Sequence, residues 1–253
     1  MHILDKIIQT KKQEIANIFL VEPVAVKPTR DFFGALKQPP APRIIAEVKK
    51  ASPSKGLIYN DFDPVRLALQ FEAQGAAAIS VLTDEQYFQG KLAYLTAVKE
   101  AVKIPVLRKD FIISEKQIKE AAVAGADAVL LIVKVLLRLS DNRPDRALLL
   151  LSHFMGVAED HGLHCLVEVH DALDLKIAVT SGNKIIGINN RNLDTFTLDL
   201  ETTATLSALV PESWRSNNCL VSESGMFSKS DFPAGVDAVL VGEGLARDPG
   251  AFF

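Results

Sequence analysis

The sequence predicts an α/β chain folded as a (β/α)8 TIM barrel with an N-terminal helical extension, and three observations carry that expectation. Eight short apolar runs alternate with helical patterns from residue 44 onward, and eight strands is the number that closes a parallel barrel. The runs are almost continuously apolar, as strands buried on both faces require. The first strand–helix turn, Ala51-Ser52-Pro53-Ser54-Lys55-Gly56, lacks the glycine-rich fingerprint that a doubly wound sheet shows there. The chain has 253 residues, close to the ~250 of a typical single barrel, so 1–253 reads as one domain in which 1–42 is an N-terminal helix plus connector.

Taken in order, residues 3–19 space Ile3, Leu4, Ile7, Ile8, Ile15, Ile18 and Phe19 near the helical period and predict an amphipathic helix ahead of the first strand. Residues 22–42 are rich in proline and read as a connector, with a short helical patch around 31–36. Strands are expected over 44–49, 77–83, 106–111, 128–133, 164–170, 185–190, 219–224 and 238–242. Helices are expected over 64–74, 93–102, 114–124, 146–161, 172–180 and 201–209, with a short one near 228–232. Gly75, Gly125 and Gly235 each precede an Ala or Val and then a strand, and glycine tolerates the left-handed turn that stops a helix, so these read as recurring helix–strand joints.

Composition excludes several functions. A net charge of −3 with both signs spread along the chain leaves no basic stripe for nucleic acid and no polybasic patch for a membrane. The longest apolar runs are broken by Asp127 and Lys134 or are shorter than the roughly 20 residues that span a bilayer. Residues 1–20 carry charges throughout and do not form a signal peptide, so a soluble cytoplasmic protein is expected. Two cysteines, Cys165 and Cys219, make neither a disulfide framework nor a zinc set, and read as buried thiols. The five histidines are scattered, and neither a metal nor a cofactor is expected.

The informative residues are charges inside the strands. In the stretch 44–49 strand periodicity points Glu47 and Lys49 one way and Ala46 and Val48 the other. In the third strand Leu107, Lys109 and Phe111 share a face; Glu168 lies in the fifth, Asn189 and Arg191 share a face of the sixth, and Glu223 and Ser224 end the seventh. Each alone is explained equally well by a solvated strand end or a structural ion pair. Together they place two lysines and three carboxylates (Glu47, Glu168, Glu223) in one cavity at the carboxyl ends of the strands, where barrels of this type build their sites. Carboxylates nearby keep a buried lysine protonated, which favours proton donation over Schiff-base chemistry. Ser224-Gly225 and Gly242-Glu243-Gly244 end the last two strands, where backbone N–H groups commonly hold a phosphate, although such glycines also simply make turns. Phe88 and Phe111 lie beside the expected mouth, where they could stack on an aromatic substrate or merely pack its rim.

These residues closely resemble those of indole-3-glycerol phosphate synthases. The likeness begins at Ile44-Ile45-Ala46-Glu47-Val48-Lys49-Lys50-Ala51-Ser52-Pro53-Ser54-Lys55-Gly56 and continues through 80–84, 107–112, 167–169, Gly187-Ile188-Asn189-Asn190-Arg191-Asn192-Leu193 and Ser222-Glu223-Ser224-Gly225. The resemblance covers nearly the whole chain. It implies a lyase of tryptophan biosynthesis that converts 1-(2-carboxyphenylamino)-1-deoxyribulose 5-phosphate to indole-3-glycerol phosphate with loss of carbon dioxide and water. It implies Lys109 as general acid, Lys49 with Glu47 at the substrate carboxylate, Glu168 as base, and Asn189, Arg191, Glu223 and Ser224 orienting the substrate. Gly225, Gly242 and Glu243 match the phosphate cradle; Phe88, Phe111, Leu131 and Leu193 match the apolar walls, and Ser52 lies in a loop expected to bend over the mouth. Two positions depart from the family pattern: Lys91 stands where a helix N-cap serine is usual, and Lys134 falls in an ordinarily neutral loop after the fourth strand. An aldolase using Lys109 as nucleophile and a catalytically silent phosphate-binding barrel are the alternative readings.

Overall fold

The computed structural model describes residues 3–19 and 28–253, so part of the proline-rich connector expected over 22–42 lies outside the described residues. Eight parallel strands form the barrel: β1 (Arg43–Val48), β2 (Ala78–Leu82), β3 (Val106–Lys109), β4 (Ala128–Ile132), β5 (His164–Val169), β6 (Ile185–Asn189), β7 (Cys219–Glu223) and β8 (Ala238–Val241). Each pairs with its neighbours in sequence, and β8 closes on β1 with Arg43 opposite Ala238 and Ala46 opposite Val241. The expected strands were right in number and place but ran up to two residues long at their carboxyl ends. The difference is physical: the ladder stops where side chains and N–H groups turn to one another, as at Asp110, whose carboxylate accepts the N–H of Phe111 at 2.8 Å.

Strand alternation separates two apolar layers. Ile45, Leu107 and Leu166 lie inside the barrel, whereas Ala46, Val48, Val129, Leu131 and Val167 face the helices that surround it. Those helices include α3 (Pro64–Gln74), α5 (Leu92–Ala101), α6 (Glu115–Ala124), α8 (Pro144–Asp160), α9 (Ala172–Thr180) and α10 (Glu201–Ser207). Gly75 and Gly125 end α3 and α6 in the left-handed conformation, with φ of 104° and 93°, as the helix–strand joints require. Lys91 precedes α5 and provides no side-chain cap, as its chemistry dictates. Four short helices were not expected: α4 (Glu85–Phe88), α7 (Val133–Leu139), α11 (Glu212–Arg215) and α12 (Glu243–Arg247). Helices α4, α11 and α12 are too short for a periodic signal, whereas α7 continues an apolar strand without a break in composition. Lys134 therefore lies in a helix rather than a loop, where it pairs with Asp194 at 3.6 Å. The patch near 228–232 is a single 3-10 turn, Lys229–Asp231.

The N-terminal extension touches both ends of the barrel. Its second helix, α2 (Phe32–Lys37), packs Phe32 and Leu36 among the strand starts, and Lys37 binds Asp237 and the carbonyl of Asn218 just before β8 and β7. The first, α1 (Ile3–Glu14), ends in a 3-10 turn at Ile15–Asn17 instead of running to residue 19, and lies at the opposite end, where the strands finish. Its Leu4, Ile7 and Ile8 are buried, and Lys11, only 1% exposed, reaches Asp84 at 2.8 Å and Asp110 at 2.9 Å. Asp84 follows β2 and caps α4; Asp110 follows β3. Burial alone would pull the Lys11 ammonium down, but Asp110 and Asp84 override it and hold it above its usual range. Burial likewise pushes Asp110 up, yet Lys11 and Arg108 bring its pKa down to about 2.

Removing a buried cation leaves its carboxylates uncompensated, so Lys11→Ala is expected to destabilise the fold by about 3–5 kcal/mol in urea unfolding at neutral pH. Asp110 has a depressed folded pKa, so its contribution is complete above the ordinary value of 3.8 and is lost as pH falls through about 2. The difference between wild type and Lys11→Ala should narrow over that interval, and a gap unchanged down to pH 2 would remove the ion pair as its cause.

Candidate active site

The carboxyl ends of the strands surround a cavity of about 100 Å³ that opens to solvent. Glu47 and Lys49 enter it from the end of β1, and their 2.5 Å ion pair explains how charge is tolerated on a strand that faces the core. Lys109, the last residue of β3, points to the middle. Its Nζ lies 3.4 Å from Glu168 Oε2 on β5 and 3.2 Å from Glu223 Oε2 on β7. The preceding residue, Arg108, faces the other way, donating to the Gln117 carbonyl and to Glu120, so strand alternation alone separates two adjacent bases.

The electrostatics follow from these contacts. Burial would deprotonate Lys109, but Glu223, Glu168 and Glu47 together overcome it and hold the ammonium well above its usual range. Glu168 is pushed up by burial and then brought below its usual range by Lys109 and by His170. Glu47 is similarly lowered, burial being outweighed by Lys49 and Lys109. Glu223 goes the other way: burial, with the charge of Glu168 beside it, outweighs Lys109 and pushes it up to about 8. One ammonium is thus shared by Glu168 and Glu47, whose pKa values are lowered, and by Glu223, whose pKa is raised.

One wall is polar. Asn189 ends β6, and its Oδ1 accepts from the Ser224 hydroxyl at 2.7 Å and from the Arg191 N–H at 3.0 Å. Arg191 in turn reaches Glu243 Oε1 at 3.2 Å, which turns that carboxylate aside and joins the loop after β6 to the one after β8. Ser224 has φ of 71° and Gly225 φ of 86°; a methyl group at Gly225 would meet Leu200 at 2.6 Å. At Gly242 a methyl group would collide with Glu47 Oε1, so the absence of a side chain there keeps the first and last strands in contact at the mouth. Gly225, Gly242 and Glu243 line the cavity next to the start of α12.

The facing wall is apolar. Phe88, Phe111 and Leu193 line the cavity, the two rings 6.2 Å apart between centroids. Leu131 does not reach it. Its side chain lies in the outer layer, and its neighbours Leu130 and Ile132 occupy the wall, as strand alternation requires. Glu223 is also not part of the wall; it lies beneath, in contact with Lys109. The loop after β1 is a small hairpin in which Ala51–Ser52 pairs with Gly56–Leu57, and it brings Ser52, Pro53 and Ser54 to the cavity.

Sequence reasoning missed Phe196, Met226, Leu82 and Asp110 among the lining residues. Phe196 sits in a loop with φ of 58°, a position no periodicity marks, and Arg191 fixes it by donating to its carbonyl at 3.3 Å. Lys134 and Arg138 hold the same loop through Asp194.

Charged groups capable of proton transfer at the centre, an apolar wall on one side and glycine-lined strand ends on the other define an acid–base barrel enzyme for a substrate with both apolar and anionic parts. The family model for indole-3-glycerol phosphate synthase matches residues 4–251. Indole-3-glycerol phosphate synthase of Pelodictyon phaeoclathratiforme is 44% identical over 262 residues, covering 98% of this chain and 97% of that protein. Those of Geobacillus thermodenitrificans and Desulfotalea psychrophila are 48% and 47% identical, covering 96% and 97% of this chain and 92% and 94% of theirs. The chain belongs to the indole-3-glycerol phosphate synthase family, the decarboxylating lyases of tryptophan biosynthesis. No helix among the described residues is long and apolar enough to cross a membrane.

Because the folded pKa of Glu223 is raised, its contribution to stability is full below its ordinary value of 4.5 and is lost as pH rises through about 8. Glu223→Gln mimics the protonated form. Its urea stability relative to wild type should therefore improve between pH 5 and pH 8.5; a constant difference would show that Glu223 does not titrate there.

Proposed function

We propose that this cavity closes the indole ring of 1-(2-carboxyphenylamino)-1-deoxyribulose 5-phosphate. The observation that carries the reading is the Lys109 ammonium held at the centre of the mouth between Glu168 and Glu223. The ring carbon that bears the carboxylate attacks the ketone carbon, a new carbon–carbon bond forms, and the carbonyl oxygen takes the Lys109 proton to become a hydroxyl. The bond to the carboxylate then breaks, carbon dioxide leaves, and its electron pair restores the aromatic ring. Dehydration completes the product: the hydroxyl departs with a proton as water, and Glu168 accepts the proton lost from the adjacent carbon.

Each wall has a part in this scheme. Lys49, steadied by Glu47, meets the substrate carboxylate and supplies the proton with which the hydroxyl leaves. The apolar side formed by Phe88, Phe111, Leu193 and Ile132 receives the aromatic ring. Asn189, Ser224 and Arg191 orient the sugar portion, and Glu223 adjusts the charge beneath Lys109. The phosphate belongs at Gly225, Gly242 and Glu243, where backbone N–H groups approach without side-chain obstruction. Ser52 and the hairpin that carries it border the same mouth.

An ammonium as strongly held as that of Lys109 stays protonated and is a poor nucleophile, which separates this reading from a Schiff-base aldolase. Recombinant protein given the substrate should develop indole fluorescence, and its absence at high protein concentration would refute the reading. Lys109→Ala and Glu168→Gln are each expected to lower kcat by about 10² or more, the usual scale of acid–base groups. Borohydride in the presence of substrate should leave no covalent adduct on Lys109 by mass spectrometry.

A further inference from the structure

Behind Glu168, on the side away from Lys109, lies a second ionisable pair that the ring-closure scheme does not use. His170 follows β5 immediately and is 2% exposed in its side chain. Its Nε2 stands 3.1 Å from Glu168 Oε1, and its Nδ1 stands 3.5 Å from Asp174 Oδ2 in the first turn of α9. Asp174 is completely buried and is held at both ends, since its Oδ2 accepts the backbone N–H of His170 at 3.0 Å and its own N–H donates to the helix-capping Asp171. Both ring nitrogens therefore lie within ion-pair distance of a carboxylate, and neither contact is aligned as a hydrogen bond. A neutral imidazole would turn a lone pair toward one of these buried carboxylates, whereas an imidazolium sets positive charge beside both.

We propose that His170 is a positioning residue, an imidazolium clamped between Glu168 and Asp174 that selects Glu168 rather than Glu223 as the ionised carboxylate beside Lys109. Glu168 and Glu223 are otherwise near-equivalent partners of Lys109, at 3.4 Å and 3.2 Å, and neither is solvated. Two carboxylates on one buried ammonium compete for a proton, and the difference between their surroundings decides which retains it. Glu168 alone has a cation behind it. The groups facing His170 are Glu168 on its own strand and Asp174 on α9; beyond Glu168 stand Lys109 and Glu223. Neighbouring α7 turns Lys134 and Arg138 to Asp194, and α8 turns His153 to Glu115. Burial would lower the imidazole pKa, but Asp174 and Glu168 outweigh it and raise it to about 9.

The inference deepens the ring-closure reading and rests on it, since the base it positions is the one assigned there. Its charge arm is independent of turnover: side-chain ¹⁵N NMR of the wild-type chain at pH 7.5 should show both His170 nitrogens protonated, and a neutral tautomer would overturn the proposal whatever the enzyme acts on. Its kinetic arm uses His170→Asn, with Asp174→Asn as a second variant should the first fail to fold. Each should lower kcat by about 10-fold or more with KM changed by less than about 2-fold, the scale expected when the support of a reacting group is lost. Losing the cation raises the Glu168 pKa, so the acid limb of the kcat–pH profile should move to higher pH by about one unit or more. A folded variant whose thermal stability falls while kcat and the acid limb stay unchanged would show His170 to be structural only. Absence of wild-type turnover would refute the ring-closure reading and leave the NMR measurement to decide the charge of His170.

Discussion

The barrel is built around a buried ammonium that no single strand could support. Lys109 leaves the end of β3 among Glu168, Glu223 and Glu47, which come from β5, β7 and β1. Odd-numbered strands supply all four groups, which is how a TIM barrel fills its interior, one side chain from each alternate strand in a layer. Here that layer is ionic instead of aliphatic. Placing charge in such a layer is unfavourable for every member taken alone and tolerable only for the complete set. The correct closure of eight strands and the correct protonation of the mouth are consequently the same requirement.

The rest of the molecule protects that arrangement. Below it, Ile45, Leu107 and Leu166 fill the barrel with apolar side chains and α2 covers the strand starts. At the rim, Lys11 binds the two aspartates that follow β2 and β3, making α1 part of the mouth although it precedes the barrel in sequence. On the polar wall Asn190, buried behind Asn189, accepts from Thr203 at 2.8 Å and donates to the Ser224 carbonyl at 3.1 Å, which fixes the left-handed turn that presents Ser224 and Gly225.

Much of this was legible in the sequence because barrels impose period-two rules on strands. Glu47 with Lys49, Leu107 with Lys109 and Phe111, and Asn189 with Arg191 were paired correctly on one face by alternation alone. Leu131 shows the limit of matching by motif: its residue type suits an apolar wall, but the strand points it at the helices and gives the wall to Leu130 and Ile132. Lys11 and His170 went unread for another reason. The aspartate partners of Lys11 lie far along the chain, and those of His170 lie within four residues, but a local window contains nothing that separates a buried ion from a solvated one. Helices α4, α11 and α12 were likewise invisible, because four or five residues complete too few turns to establish a period.

The ladder between β1 and β8 joins the two ends of the barrel in sequence. During synthesis one edge of β1 stays unpaired until β8 has emerged, and an open edge is where chains pair wrongly with one another. In sequence α2 directly precedes β1 and packs its apolar side chains against it, a local contact that does not require the later strands. Gly242 adds a final check on assembly: the last strand can dock only if its tip passes Glu47 and Lys49 without a side chain in the way. Acquisition of a competent mouth is thereby delayed to the closing event, and partial barrels have an acid and a base but no enclosed place to use them.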